Sequence, residues 1–158
     1  MRYTRSLSGA CVALAVAASR LVAAPSPGGR AQTASFRVTG DAVLEPLDGR
    51  SGDAQRGRRI VLDRSVGNCL ICHVVPEPGE RFMGELGPDL TGVGGRLTPG
   101  QIRLRLIDGS LLDPATVMPP YHRVEGLVRV GAPWRGKPVL TGGEIEDVVA
   151  YLASLTPR

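Results

Sequence analysis

Asn68-Cys69-Leu70-Ile71-Cys72-His73 is the stretch that decides how this 158-residue chain is read. Two thiols three positions apart sit about one helical turn from each other, and an imidazole follows at once. That spacing suits covalent haem: each thiol adds to one vinyl group of the macrocycle, and His73 then presents its ring to the iron. Other uses of the motif explain less of it. A structural zinc site needs four ligands. Beyond the first 24 residues Cys69, Cys72, His73 and His122 are the only Cys and His, and adjacent Cys72 and His73 fit one tetrahedral site poorly. A thioredoxin-like dithiol wants a βαβ surrounding that the sequence lacks. A disulfide suits an oxidising compartment but leaves His73 without a role.

Composition supports a core filled by something other than protein. The chain holds 21 Gly and 13 Pro, well above the ~12% of residues that these two types make up on average, so much of it must be turn and loop. Its aromatic side chains number one Trp, three Tyr and two Phe. A macrocycle packed against Leu, Val and Ile supplies the missing apolar area, at about 25 cal/mol per Å² buried. The chain without haem is therefore expected to fold poorly. No apolar run reaches the length of an internal membrane span, and there is no heptad stretch, fixed-period repeat or low-complexity tract. The length suits one domain.

The formal charge of +4 is no sign of nucleic-acid binding, because its excess lies in the first 24 residues. Arg2 and Arg5 precede the apolar run Leu7 to Ala18, Arg20 ends it, and small residues follow. That is the arrangement of a secretory signal peptide. Residues 1–24 are read as the signal, with cleavage after Ala18, Ala23 or Ala24 as candidates, and the expected destination is the periplasm. Cys11 lies inside the signal and leaves with it. Residues 25–50 read as a Pro- and Gly-rich leader and N-terminal extension, and 51–158 as the haem domain, with no membrane anchor after processing.

The second axial ligand must come from downstream. Met83 lies only ten residues after His73, too short a connection to reach the opposite face of a macrocycle. Met118 lies 45 residues on, in Thr116-Val117-Met118-Pro119-Pro120, where two prolines stiffen an extended loop. Met118 is the favoured ligand, with His122 as the alternative; Met118 could also simply fill core.

The flanking segments read as short helices. Asp53 caps one running toward Ser65, with Ala54, Gly57, Ile60, Val61 and Arg64 along one face. Thr98-Pro99-Gly100-Gln101 is a capping box opening a helix from Pro99 to about Asp108. Thr141-Gly142-Gly143-Glu144 is a second box, followed by Ile145, Val148, Val149 and Leu152 at amphipathic spacing. Gly57 offers a place for the last helix to approach closely, with Tyr151 as its packing partner. Trp134, surrounded by Arg129, Arg135 and Lys137 with Arg123 upstream, suits either a partner interface or a lid over the haem edge.

Gly57, the haem motif, Gly87-Pro88-Asp89-Leu90, the Met-Pro loop and the closing Tyr151-Leu152 together resemble class I cytochrome c, an all-α, loop-rich fold packed around one covalent haem c. That resemblance implies that the Pro88 carbonyl accepts the Nδ1–H of His73, fixing the tautomer of the ligand. A closer likeness runs from residue 36 to 156, through Phe36-Arg37-Val38-Thr39-Gly40-Asp41-Ala42, Leu97-Thr98-Pro99-Gly100-Gln101-Ile102-Arg103-Leu104-Arg105, and Met118-Pro119-Pro120-Tyr121-His122-Arg123-Val124-Glu125-Gly126-Leu127. With the ending Gly136-Lys137-Pro138-Val139-Leu140-Thr141 and Ile145 to Leu152, these segments resemble the SoxX family. His122 is a departure, since that family more often has Tyr there.

The SoxX resemblance implies thiosulfate oxidation. In that family a monohaem subunit pairs with SoxA to form SoxAX, an L-cysteine S-thiosulfotransferase that joins thiosulfate oxidatively to a cysteine of the SoxYZ carrier. The sulfur chemistry belongs to a SoxA haem, and the SoxX haem relays electrons to a soluble cytochrome c. No catalytic residue is expected in this chain; Cys69 and Cys72 would bind the haem covalently, His73 and Met118 its iron. A free periplasmic shuttle cytochrome with transient partners is the other reading, set apart by a small interface. The segment Val124 to Leu140 and the extension from Phe36 favour the permanent subunit, because a shuttle needs neither.

Overall fold

A computed structural model describes residues 34–157; residues 1–24, expected to be a signal peptide, and most of the expected leader lie outside the described residues. The architecture is helical and loop-rich, and among the described residues there is no strand, only an isolated bridge between Thr39 and Ala42. Four helices follow in order: α1 (Ala54–Leu62), α2 (Val93–Arg96), α3 (Pro99–Asp108) and α4 (Gly142–Ser154). Short 3₁₀ turns mark Cys69–Ile71, Gly109–Leu111 and Ala132–Trp134. No described helix is long and apolar enough to cross a membrane.

The caps act where the sequence places them. Asp53 accepts from the Arg56 N–H at 2.7 Å and starts α1. Thr98 and Gln101 close the box of α3, and Thr141 and Glu144 close that of α4, so donors left free at each N-terminus are satisfied reciprocally. The expectation for α1 ran further, toward Ser65, than the helix does. Asp63 takes extended backbone angles, and its carboxylate accepts from both the Ser65 N–H and hydroxyl. A local side-chain turn thus replaces the next helical bond.

Helices α1 and α4 cross at Gly57. A Cβ there would overlap the Asp147 backbone carbonyl, so only glycine allows this approach. The nearest atoms belong to Asp147 and Val148 rather than Tyr151, whose hydroxyl instead donates to Glu77 at 2.7 Å. Val61, Leu70, Leu104, Ile107, Ile145 and Val148 are fully buried, so the core draws on α1, α3, α4 and the Cys69–Ile71 turn.

The N-terminal extension belongs to this framework. The Val43 N–H donates to the Gly100 carbonyl, and Arg103 on α3 donates to the Val43 carbonyl at 2.6 Å. Arg103 also makes a bidentate pair with Glu146 on α4, both bonds 2.7 Å and both side chains buried. Glu146 in turn accepts the Leu47 N–H, and Asp147 accepts the Asp53 N–H. The extension runs as a strap across α3 and α4, its backbone groups satisfied by buried charge.

Candidate haem site

The haem motif opens on a left-handed Asn68, φ +52, a conformation that Asn tolerates better than most residues. The chain then tightens into the 3₁₀ turn Cys69–Ile71, whose Cys69 carbonyl accepts from both the Cys72 and His73 N–H groups at 3.1 and 3.0 Å. Cys69 and Cys72 are free thiols. Cys69 is buried, and that burial pushes its thiol up to about 11.

His73 is held from two sides. Its Nδ1 lies 2.7 Å from the Pro88 carbonyl; a carbonyl can only accept, so Nδ1 carries the proton and Nε2 keeps a lone pair for a metal. Gly87 covers the ring so closely that a Cβ there would overlap it. The Gly87 N–H donates to the Cys72 carbonyl at 2.7 Å, and the Leu90 N–H to the Val74 carbonyl at 2.9 Å. These bonds tie the Gly87–Leu90 segment to the motif.

A cavity of about 1030 Å³ opens beside this turn, at the upper end of the roughly 300–1,000 Å³ typical of ligand pockets. Cys69, Cys72, His73, Pro88 and Met118 all line it, among apolar neighbours that include Val61, Leu90, Leu106, Val148 and Leu152. The residues singled out for haem attachment and iron ligation thus share one wall system. The donor set fits the group: two thiols, an imidazole with a free lone pair, a thioether and an apolar surround.

The other candidates lie elsewhere. Met83 accepts the Val75 N–H on its sulfur at 3.2 Å and does not line the cavity. His122 is buried away from it, with Nδ1 3.0 Å from the Leu140 carbonyl and Nε2 accepting the Ala34 N–H at 3.2 Å. Both ring nitrogens of His122 are in use. The Met118 N–H is turned in to Thr116 Oγ1 at 3.2 Å, giving the loop a local lock before Pro119.

Two contributors went unnoticed as site residues in the sequence. Tyr121 lines the cavity and donates its hydroxyl to the Gly67 carbonyl at 2.8 Å, bracing the approach to Cys69 from the far end of the ligand loop. Burial pushes its phenol well above the usual tyrosine range. Arg105 also lines the cavity. Its signal was a charge inside the run Ile102-Arg103-Leu104-Arg105-Leu106-Ile107. Trp134 proves to be part of the cavity wall, 42% exposed, while Arg129, Arg135 and Lys137 around it are exposed and form no ion pair among the described residues.

Comparison with protein-family models and with curated proteins gives no match. Among solved structures, a chain in the crystal structure of SoxXA from P. pantotrophus is similar. It is 34% identical with a TM-score of 0.72, over 77% of this chain and 95% of that one.

Proposed function

Because this chain belongs to the SoxX family, we propose that it is the monohaem electron-transfer subunit of a SoxAX complex, exported to the periplasm and paired there with SoxA. The observation that carries the reading is the His73 clamp: a ring fixed by Pro88, beside two free thiols, in a cavity that Met118 also lines. When bound, the haem iron takes up and gives up one electron at a time.

The chain's own residues prepare that chemistry. Cys69 and Cys72 hold the group by thioether bonds; Pro88 keeps the proton on His73 Nδ1 so that Nε2 is the donor. Met118 supplies a thioether ligand, which favours the reduced state relative to a second imidazole. The apolar wall excludes water and sharpens the electrostatics of the site. Joining thiosulfate to a SoxYZ cysteine forms one S–S bond and releases two electrons. A subunit with one haem must therefore pass them on in succession to a soluble cytochrome c. The sulfur chemistry stays on SoxA, since this chain has no free thiol beyond Cys69 and Cys72 in its described part.

The test begins with protein from a host that attaches haem c. Colour should survive denaturation, and the native mass from cells grown on thiosulfate should be that of a complex with a second haem protein. Met118→Ala should abolish the weak far-red Met–iron band of the oxidised protein, while His122→Ala should retain it. Loss of colour on denaturation would sink covalent attachment, and a lone monomer would make the chain a shuttle cytochrome.

A further inference from the structure

Tyr121, His122 and Arg123, just past Met118-Pro119-Pro120, tie the end of the ligand loop to four other parts of the chain. Toward α3, the Tyr121 N–H donates to the Leu106 carbonyl at 3.1 Å, the His122 N–H to the Ile107 carbonyl at 3.3 Å, and Arg123 Nη1 to Asp108 at 2.9 Å. The Leu140 N–H returns to the Tyr121 carbonyl at 2.9 Å, and His122 accepts the Ala34 N–H of the strap. These bonds hold the loop to the framework. The Tyr121 hydroxyl does something different: it donates to the Gly67 carbonyl at 2.8 Å, two positions before Cys69.

The acceptor is itself fixed. A Cβ on Gly67 would lie 2.7 Å from the Ile60 carbonyl of α1 and 3.2 Å from Cys69 Sγ, so this backbone is wedged between the first helix and the first thiol. Tyr121 is buried and lines the cavity with Cys69 and Met118. Packing alone would be met by Phe, since a buried tyrosine hydroxyl needs a partner to repay its loss of water. The hydroxyl therefore serves as a link between the loop that carries Met118 and the segment that carries Cys69.

We infer that Tyr121 is a positioning residue for the sixth ligand: its bond to Gly67 puts the Met118 thioether in the same frame as the Cys69 attachment and so keeps small competing ligands off the iron. The inference rests on the haem reading above and deepens it. Attachment at Cys69 and Cys72 fixes the macrocycle to one segment, while Met118 reaches it from another. The occupancy of a neutral thioether then depends on its effective concentration, which falls when the two segments move independently. Freed from Gly67, the loop keeps its bonds to α3 but loses its reference to the haem motif. With the link made, the site is closed for electron relay; without it, the site opens to ligand binding.

The experiment titrates the oxidised, haem-loaded full chain with imidazole at fixed pH, following the far-red Met–iron band, and repeats this for Tyr121→Phe, Tyr121→Leu, Tyr151→Phe and Met118→Ala. Tyr121→Phe should lower the imidazole dissociation constant about tenfold, equivalent to about 1.4 kcal/mol and to one lost hydrogen bond. Tyr151→Phe is the control for a purely structural role. Tyr151 is also buried and donates its hydroxyl to Glu77 at 2.7 Å, but it does not line the cavity. That variant should lose thermal stability as Tyr121→Phe does, yet keep the wild-type imidazole constant. Tyr121→Leu also lacks the hydroxyl and should shift the constant in the same direction if the Phe protein does not accumulate.

An imidazole constant within about twofold of wild type in both Tyr121 variants, or an equal shift in Tyr151→Phe, would overturn this inference alone. A Met118→Ala protein that keeps the wild-type band and constant would overturn the ligand assignment and this inference with it.

Discussion

The α1–α4 seam and the loops from Gly109 to Val139 are parts of one molecule closed in different ways. The seam closes on protein. Gly57 lets the two backbones meet, Arg56 grips Asp147 through two 2.7 Å bonds, and Arg103–Glu146 fastens the strap over α3 and α4. The loops have short turns, exposed Val117, Val128 and Trp134, and a few long-range backbone bonds, such as Tyr121 N–H to the Leu106 carbonyl. Their inward side is the cavity wall. One half is stabilised by what the chain brings to itself, the other by what fills the cavity.

The largest effect should come from withholding the group. In a Cys69→Ala/Cys72→Ala chain, amides of residues 109–139 should exchange with solvent almost freely, while those of α4 facing α1 keep their protection. Hydrogen exchange resolved along the sequence checks this, and uniform loss across both regions would erase the contrast between them. Next is Arg103→Met, which leaves Glu146 buried without its partner and should cost about 3–5 kcal/mol in denaturant unfolding. The strap, held through the Val43 carbonyl and the Leu47 N–H, should loosen first. A cost below about 1 kcal/mol would mean that the strap is held by packing instead.

What could be read without a structure was whatever is local. The haem motif, the two capping boxes and the α3 boundaries depend on residues within a turn of one another. Two following prolines singled out the Met118 loop, and Met118 lines the same cavity as Cys69, Cys72 and His73. The end of α1 was misjudged because Asp63 competes for the backbone through its own side chain, and periodicity does not report that competition. The strap was invisible for a different reason. Residues 34–50 have little pattern of their own, and their bonds reach partners 60 and 99 positions away. Gly57 announced the approach of the last helix but not the residues that meet it, which are Asp147 and Val148 rather than Tyr151. The fate of Trp134 depended on which way a 3₁₀ turn faces, which its charged neighbours do not determine.

A smaller effect separates the two regions by pH. Hydrogen bonding to Arg56 holds the Asp147 carboxyl below its ordinary range, and Arg58 does the same for Glu77. Both groups then favour the folded state above their unfolded values of about 3.9 and 4.3. That contribution is lost as pH falls through the still lower folded values. The seam should therefore keep its stability from neutral pH down to about 5 and weaken below about 4. Arg56→Gln should flatten that acid slope. An unaltered slope would show that other carboxylates set it.

The smallest expected effect belongs to the tip of the loops. Val128 is 86% exposed, between Gly126 at φ +69 and Arg129 at φ +58. The two positive-φ positions turn the chain outward and leave the valine without core neighbours. Val128→Ser should accordingly change the stability of the isolated haem-loaded chain by less than about 0.5 kcal/mol, as thermal unfolding would record. The same substitution on α4 at Val149, buried and outside the cavity wall, would remove buried apolar volume and place a hydroxyl there, at a cost of about 2 kcal/mol or more. If the two substitutions cost the same, the loops are packed on protein after all, and the cavity's occupant is not what holds them in place.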